Sequence, residues 1–376
     1  MIYKITLEPL DWFFFGGQNT FDNGAKQSYI AHSNMFPQQS SLLGMLRYQL
    51  LKQKDLLTKP GKAPDTDETS TLIGPDSFMM DKDSQDFGKI KGLTPVFIEK
   101  ETVEMRNKGK NQKRTTAYRS FFPASLTDGY KLTFDSNVKV NLNGQEKQVL
   151  INDNESFDAK HYDNYLRFCD KTGQSLMSYE IFKTRMQIGI TKNTDYISEE
   201  DADEGRFFKH EMVKFNNDKE KRITYRFAFY AEIEDELQAD FVYLGAERSC
   251  FKMKVEPQTN EKDLHQLLLE IYPNTNKNGR IVLISPTFVE DLKKLGEMCL
   301  FHWSFLTPFR NLVQAKTGQG KLKSGIVSYN RKDTDYNMLC AGTVLLFDES
   351  NRQEIEKMLN DGHLQAIGYN YYDSMK

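Results

Sequence analysis

The chain has 376 residues, 39% of them apolar and 27% charged, with 50 Lys and Arg against 53 Asp and Glu for a formal net charge of −3. Such a length exceeds one small core and predicts two domains or one large, elaborated one. The charge balance excludes a bulk polycation, so any contact with nucleic acid must come from charge segregated along the chain.

Residues 2–7 alternate like a half-buried strand that Glu8-Pro9-Leu10-Asp11 ends. Trp12 to Phe15 read as a buried aromatic strand, and Gly16-Gly17 as a turn. Pro37 holds Phe36 extended. Ser40 or Ser41 then caps a helix that runs to about residue 53. Leu42, Leu43, Leu46 and Leu50 share one face of it, Arg47 flanks that face, and Gly44 and Tyr48 look away. A glycine inside a helix costs roughly 1 kcal/mol against alanine, which suggests a close approach at Gly44. The free N–H groups at the helix start, beside Gln38, Gln39, Ser40 and Ser41, favour an anion such as a phosphate.

Residues 59–74, with Pro60 and Pro64, read as a loop, and 92–99 as a strand. Residues 105–119 carry Arg106, Lys108, Lys110, Lys113, Arg114 and Arg119 with no acidic residue. We read them as a loop that contacts phosphates, with Tyr118 available to stack on a base. Residues 131–150 form a hairpin turning at Asn143-Gly144, and 159–169 a helix. Ile188-Gly189-Ile190-Thr191 is short and apolar, and the acidic stretch 195–204 is an exposed loop or a patch for a basic partner. Residues 207–215 and 222–232 are strands, 235–243 a short helix, 250–255 a strand, and 257–263 a linker. Beyond it come a strand at 280–285, a helix at 287–298 opened by Pro286, and the Gly- and Lys-rich stretch 318–328. A strand at 342–347, a helix at 350–359 led by Ser350 with Gln353 three residues on, and a strand at 366–372 complete the chain.

Strand, helix, two strands, helix, strand thus occurs twice, the ferredoxin-like βαββαβ order shared with the RRM. The expected fold is α+β, with two ferredoxin-like domains at 1–257 and 258–376 and a large insertion at about 54–204 in the first. The duplication is one of element order only.

Catalytic signals are sparse. The six histidines form no H-x-x-x-H, no G-x-S-x-G occurs, and Gly318-Gln319-Gly320-Lys321 fails as a P-loop because Ala315 and Leu322 stand where Gly and Ser or Thr are required. Cys169, Cys250, Cys299 and Cys340 stand far apart with no C-x-x-C, which argues against a zinc site or disulfide framework and fits a reducing cytoplasm. No apolar run reaches the length of a membrane span, and residues 1–8 carry no signal-peptide pattern. No catalytic residue, metal or cofactor is expected.

Several phrases, taken in order, resemble the RAMP proteins of type III CRISPR effector complexes, and among them the Cmr subunits that cap the crRNA 5′ end in type III-B complexes. Glu8-Pro9-Leu10 with Phe14-Phe15-Gly16-Gly17 and Phe21 is similar to D/E-P-L-x-F-x-x-G-x-x-F. The stretch from Phe36-Pro37 through Ser40, Gly44 and Arg47 is similar to F-P-P-S-x-S-T-L-x-G-A-L-R. Ile188-Gly189-Ile190 through Thr194 and Gly205-Arg206-Phe207-Phe208 is similar to V-G-I, an acidic gap and G-x-L-F. Leu244-Gly245-Ala246-Glu247-Arg248 resembles L-G-G-E-x-R, and Ala341-Gly342-Thr343-Val344-Leu345-Leu346-Phe347 resembles A-G-S-V-Y-F-F. Gln38 departs from a usual Pro and Ala246 from a Gly, and the family's glycine-rich end is reduced to Ile367-Gly368-Tyr369.

The resemblance implies a non-catalytic RNA-binding subunit that holds the 5′ handle of crRNA and docks the large cyclase/polymerase subunit. A neighbouring RAMP backbone subunit would touch its other side, and target RNA would be met only indirectly. The residues it points to are Gly16, Gly17, Gln38, Gln39, Ser40, Ser41, Arg47, Gly189, Arg248 and the cations of 106–119. The alternative is a RAMP endoribonuclease that processes CRISPR precursor RNA, with His32 near the opening helix as general base. A third is a protein scaffold without RNA contact.

Overall fold

The computed structural model describes the chain apart from residues 22–28, 59–65, 109–110, 129–131, 143–144, 153–154, 157–165, 191–206, 246, 248, 260, 274–278, 310–311, 315–328, 332–335 and 376. In strand β1 (Ile2–Pro9) the alternating Tyr3, Ile5 and Leu7 turn into the core. Strands β2 (Phe15–Phe21) and β3 (Tyr29–Asn34) lead to helix α1 (Gln39–Gln53). Its Leu42, Leu43, Leu46 and Leu50 are buried, while Gly44 and Tyr48 face outward. Helix α2 (Asp67–Ile73) and strands β4 (Ile90–Leu93), β5 (Phe97–Lys108) and β6 (Asn111–Pro123) follow. Strands β7 (Leu132–Leu142), β8 (Gln145–Asn152) and β9 (Glu155–Ser156) make a sheet of their own.

Next come β10 (Arg167–Asp170), β11 (Ser175–Met177), α3 (Ser178–Ile181), β12 (Phe182–Ile190) and β13 (Phe207–Phe215). Then follow β14 (Ile223–Ile233), β15 (Asp240–Tyr243), β16 (Cys250–Pro257) and helix α4 (Leu264–Ile271). The remainder holds β17 (Arg280–Val282), α5 (Leu292–Met298), β18 (Cys299–Trp303), β19 (Leu306–Phe309) and β20 (Leu312–Gln314). Strands β21 (Tyr329–Arg331), β22 (Tyr336–Leu339) and β23 (Val344–Phe347) and helices α6 (Arg352–Leu359) and α7 (Gly362–Gln365) end it.

The fold is α+β with mostly antiparallel sheets. The main sheet runs β11-β10-β6-β5-β14-β1-β16-β15, with β4 beside β14. A second runs β12-β13-β3-β2, where β13 and β3 are parallel, and a third β17-β23-β18. The aromatic residues serve mainly as core: Phe13 lies 4.8–5.9 Å from Phe15, Phe215, Phe227 and Phe251. Each such buried ring contributes roughly 1.5–3 kcal/mol. The same core holds Ile5 and Leu46 and, from the far end of the chain, Leu364, Ile367 and Tyr369. On the other face of the main sheet, Phe97, Phe122 and Tyr230 pack on Leu267, Leu268 and Tyr272.

Several local expectations are corrected. Gly16-Gly17 is not a turn but part of β2, at a register shift between Gly16 and Asn19. The loop 59–74 ends in α2, where Thr66 caps through its hydroxyl, which accepts from Thr69 N–H at 3.3 Å. Residues 105–119 are not a loop but the two strands of the β5–β6 hairpin, paired through Lys108 and Asn111. Of the helix expected at 159–169, residues 159–165 lie outside the described residues and Arg167–Asp170 is a strand. The helix expected at 235–243 gives way to β15, because Val242 is buried between the exposed Phe241 and Tyr243, a period of two. Helix α5 starts only at Leu292, after the Asp291 cap. Ser350 caps nothing; it sits in the 3₁₀ turn Glu349–Asn351 ahead of α6. The final strand is absent among the described residues: Gly368 (φ +88°) and Asn370 (φ +56°) turn left-handed, leaving a single bridge from Tyr372 to Leu283.

Helix α4 was missed, although Asp263 with Gln266 three residues on, before an apolar run, is a capping box, and the structure forms it. The turn residues 143–144 of the β7–β8 hairpin, the acidic stretch 195–204 and the Gly- and Lys-rich stretch 318–328 lie outside the described residues.

Candidate nucleic-acid interface

The hairpin is the most distinctive feature. Strand β5 pairs with β14 only as far as Thr102 opposite Ile223, but with β6 as far as Lys108 opposite Asn111. Val103 N–H still bonds Arg222 O at 3.2 Å, and residues 104–108 and their partners project past the sheet, about 17 Å at about 3.3 Å per residue. Register sets Arg106 opposite Lys113 and Met105 opposite Arg114, which is exposed. Lys108 ends β5. Lys110 lies outside the described residues.

Arg119 lies back in the body of the sheet, not on the arm. Its guanidinium donates to Asp170 Oδ2 at 3.2 Å and Gln174 Oε1 at 2.6 Å. Burial alone would raise the Asp170 carboxyl, but bonds from Thr172, Gln174 and Arg119 hold it below the usual carboxylate range. Tyr118 is 57% exposed, its ring 5.4 Å from the Arg226 guanidinium and 5.8 Å from Lys4 Nζ. Arg226 is buried and ion-paired with Glu99 at 3.0 Å and with Glu101. This pairing was not legible in the sequence, because its members stand on β14 and β5, far apart along the chain.

The glycines gather at a second place. A Cβ on Gly17 would lie 2.5 Å from His32 O, and one on Gly245 2.5 Å from Phe14 O. Phe14 N–H donates to Ser249 Oγ at 3.0 Å, and Asn34 Nδ2 donates to Gly16 O at 2.9 Å. Gly16 itself is exposed with open space around it. The 14–17 segment and the 245–249 turn therefore meet, as two of the motif phrases do. Arg248 lies outside the described residues. Gly189 sits opposite Phe208 in the β12–β13 ladder.

The helix start is a third place, and it is closed by the chain itself. Gln38 is the N-cap and makes no side-chain cap bond, so the expected capping by Ser40 or Ser41 is corrected: both lie inside the first turn. Gln39 is buried and its Nε2 donates to Thr94 O and Ile367 O, each at 2.9 Å. Ser40 N–H points at the Tyr369 hydroxyl at 3.5 Å. A phenol oxygen thus stands where an anion was expected. Arg47 donates to Asp76 O at 2.9 Å and lies 5.6 Å from the Phe87 ring centre, and burial pushes its guanidinium down to about 10. Gly44 meets open space.

His32 Nδ1 stands 2.6 Å from Glu211 Oε2, a pair made by the parallel β3–β13 ladder. Among the described residues no cluster of three or more His, Cys, Asp or Glu could hold a metal ion, and no helix is long and apolar enough to cross a membrane.

No curated protein matches the chain in sequence. In fold it is similar to a chain of "Cryo-EM structure of the Type III-B Cmr-beta bound to cognate target RNA", at 12% identity and a TM-score of 0.47, covering 98% of this chain and 96% of that one. The family model described as CRISPR-associated protein (Cas_Cmr3) matches residues 5–372. That span takes in the glycine corner, the hairpin, the helix start and the closing segment. The resemblance to Cmr subunits read from the sequence is borne out at the level of the family: the chain belongs to the Cas_Cmr3 family of CRISPR-associated proteins.

Proposed function

We propose that the chain is a non-catalytic RNA-binding subunit of a type III-B CRISPR (Cmr) effector complex. It holds the 5′ handle of crRNA, docks the large cyclase/polymerase subunit and touches a neighbouring RAMP backbone subunit, in the cytoplasm. The observation that carries the RNA reading is the projecting hairpin. Its register sets Arg106 opposite Lys113 and Met105 opposite Arg114, with Lys108 ending β5, so cations are spaced along both strands of the arm as contacts to a phosphate chain require. The order β16-β1-β14-β5 is the 4-1-3-2 order of a ferredoxin-like sheet, and the Tyr372 bridge beside β17-β23-β18 hints at the same order again. This supports two ferredoxin-like units, the first with β15 in place of its second helix.

The test is the affinity of the purified chain for fluorescently labelled crRNA 5′ handle across a salt series. Changing Lys108, Lys110, Lys113 and Arg114 together to Gln is expected to weaken binding at least tenfold at physiological salt. Each lost phosphate contact lowers the slope of log K against log salt by about 0.7. Unchanged affinity and slope would remove the hairpin from the interface. If Arg248→Gln were silent as well, the scaffold reading would replace this one.

One observation favours the endoribonuclease reading. Glu211 fixes the orientation of the half-buried His32 ring, as a carboxylate does for a general base. Repeat RNA incubated with the chain in the absence of added metal is expected to stay intact. Specific cleavage that disappears in His32→Ala would establish the enzyme instead.

A further inference from the structure

Strand β12 lies at the edge of the second sheet and, among the described residues, pairs only with β13. Its far half stands clear of the core on both faces: Lys183, Thr184, Arg185, Met186, Gln187 and Ile188 are all exposed, Met186 by 49% and Ile188 by 65%. Register fixes which backbone groups are turned away. Val213 exchanges both of its bonds with Phe13, at 2.8 and 2.9 Å, so it makes none with Thr184 opposite. In an antiparallel ladder bonded and unbonded pairs alternate. Lys183, Arg185 and Gln187 therefore bond to β13, and the N–H and C=O of Thr184, Met186 and Ile188 point outward. A long edge of this kind is a template for another strand.

Its side chains specify that strand. Thr184, Met186 and Ile188 line one face, two of them apolar. Lys183 and Arg185 line the other, beside Lys214, and no acidic residue occurs between 183 and 188. Trp12 holds the Arg185 guanidinium 4.6 Å from its ring centre. The geometry points to β12 as a docking edge for an extended segment of another protein in which acidic and apolar residues alternate. The segment adds a strand to the sheet, its carboxylates on the Lys183–Arg185 face and its apolar side chains on Met186 and Ile188. Two copies of β12 paired together would bring four cations onto one face, with Asp11, already bonded to Lys214 at 3.1 Å, as the acid described beside each pair, which disfavours self-association. A nucleic acid would use the cations but leave the outward amides and the apolar face unmatched.

The inference does not depend on the RNA reading, and its test is separate. The full chain is titrated with a capped decapeptide alternating Glu and Val, a Lys–Val peptide of equal length, and an oligouridylate. Backbone amide exchange is followed residue by residue. The Glu–Val peptide is expected to bind at least tenfold tighter than the Lys–Val peptide and to slow exchange at Thr184, Met186 and Ile188 at least tenfold. Lys183 and Arg185, already bonded to β13, change little. The double variant Lys183→Glu/Arg185→Glu, at two exposed positions, is expected to reverse the preference. Equal binding of both peptides, protection by the oligouridylate instead, no protection at the three outward amides, or an unchanged preference in the double variant would each overturn the proposal.

Discussion

Gly368 holds φ at +88°, and a Cβ added there would run into Gln39 Nε2 and lie 2.7 Å from Thr94 O. Gly368→Ala meets both a backbone conformation costing about 1–3 kcal/mol and the loss of buried hydrogen bonds worth about 1–3 kcal/mol. The expected fall in stability is about 3 kcal/mol, read from urea unfolding, and Gln39→Ala in the same chain restores only part of it. A loss below about 1 kcal/mol would mean that Gln39 and the 366–369 turn do not share this seam. The sequence offers every residue here except Thr94, but not the contacts that join them. Gln39, an RNA-contact candidate in the sequence, turns its side-chain amide to two carbonyls in the structure. Arg47 was read correctly as a flank residue of α1, but Phe87 and Asp76, which hold it, come from far along the chain and leave no local signal.

At the level of elements, periodicity told strands from helices where burial was one-sided, as in β1 and α1, and failed where segments were short or exposed. The basic segment has the composition of a loop, and only pairing makes it a hairpin. Because the last bond described between β5 and the rest of the sheet is Val103 N–H to Arg222 O, the tip beyond it is expected to be dispensable for folding. Replacing 105–114 by Asn-Gly, which suits a two-residue hairpin turn, leaves Glu104 opposite Thr115 as the closing bonded pair, since Val103 turns its N–H to Arg222 instead. The trimmed chain is expected to keep its unfolding free energy within about 0.5 kcal/mol while losing affinity for the handle. A drop of several degrees in Tm would show that the tip packs against the body.

For the molecule as a whole, the linker at 257–263 and the second run of elements suggested two units, yet one hydrophobic core contains Tyr3, Phe251, Phe309, Leu364 and Tyr369 together. Contacts between distant segments of this sort have no sequence signature, since each residue is merely apolar where it stands. Calorimetry is expected to show one unfolding transition, with van't Hoff and calorimetric enthalpies equal, rather than two. Two resolved peaks would mean that the closing segment belongs energetically to a separate body.

The Tyr369 hydroxyl at the start of α1 also constrains how the protein is made. Chains fold from the N-terminus as the ribosome extends them. Here the first long helix waits for a residue that is translated 329 positions after Ser40. Until that tyrosine leaves the exit tunnel, the nascent polypeptide keeps apolar surface uncovered, and holding it safe falls to the chaperones that meet it there.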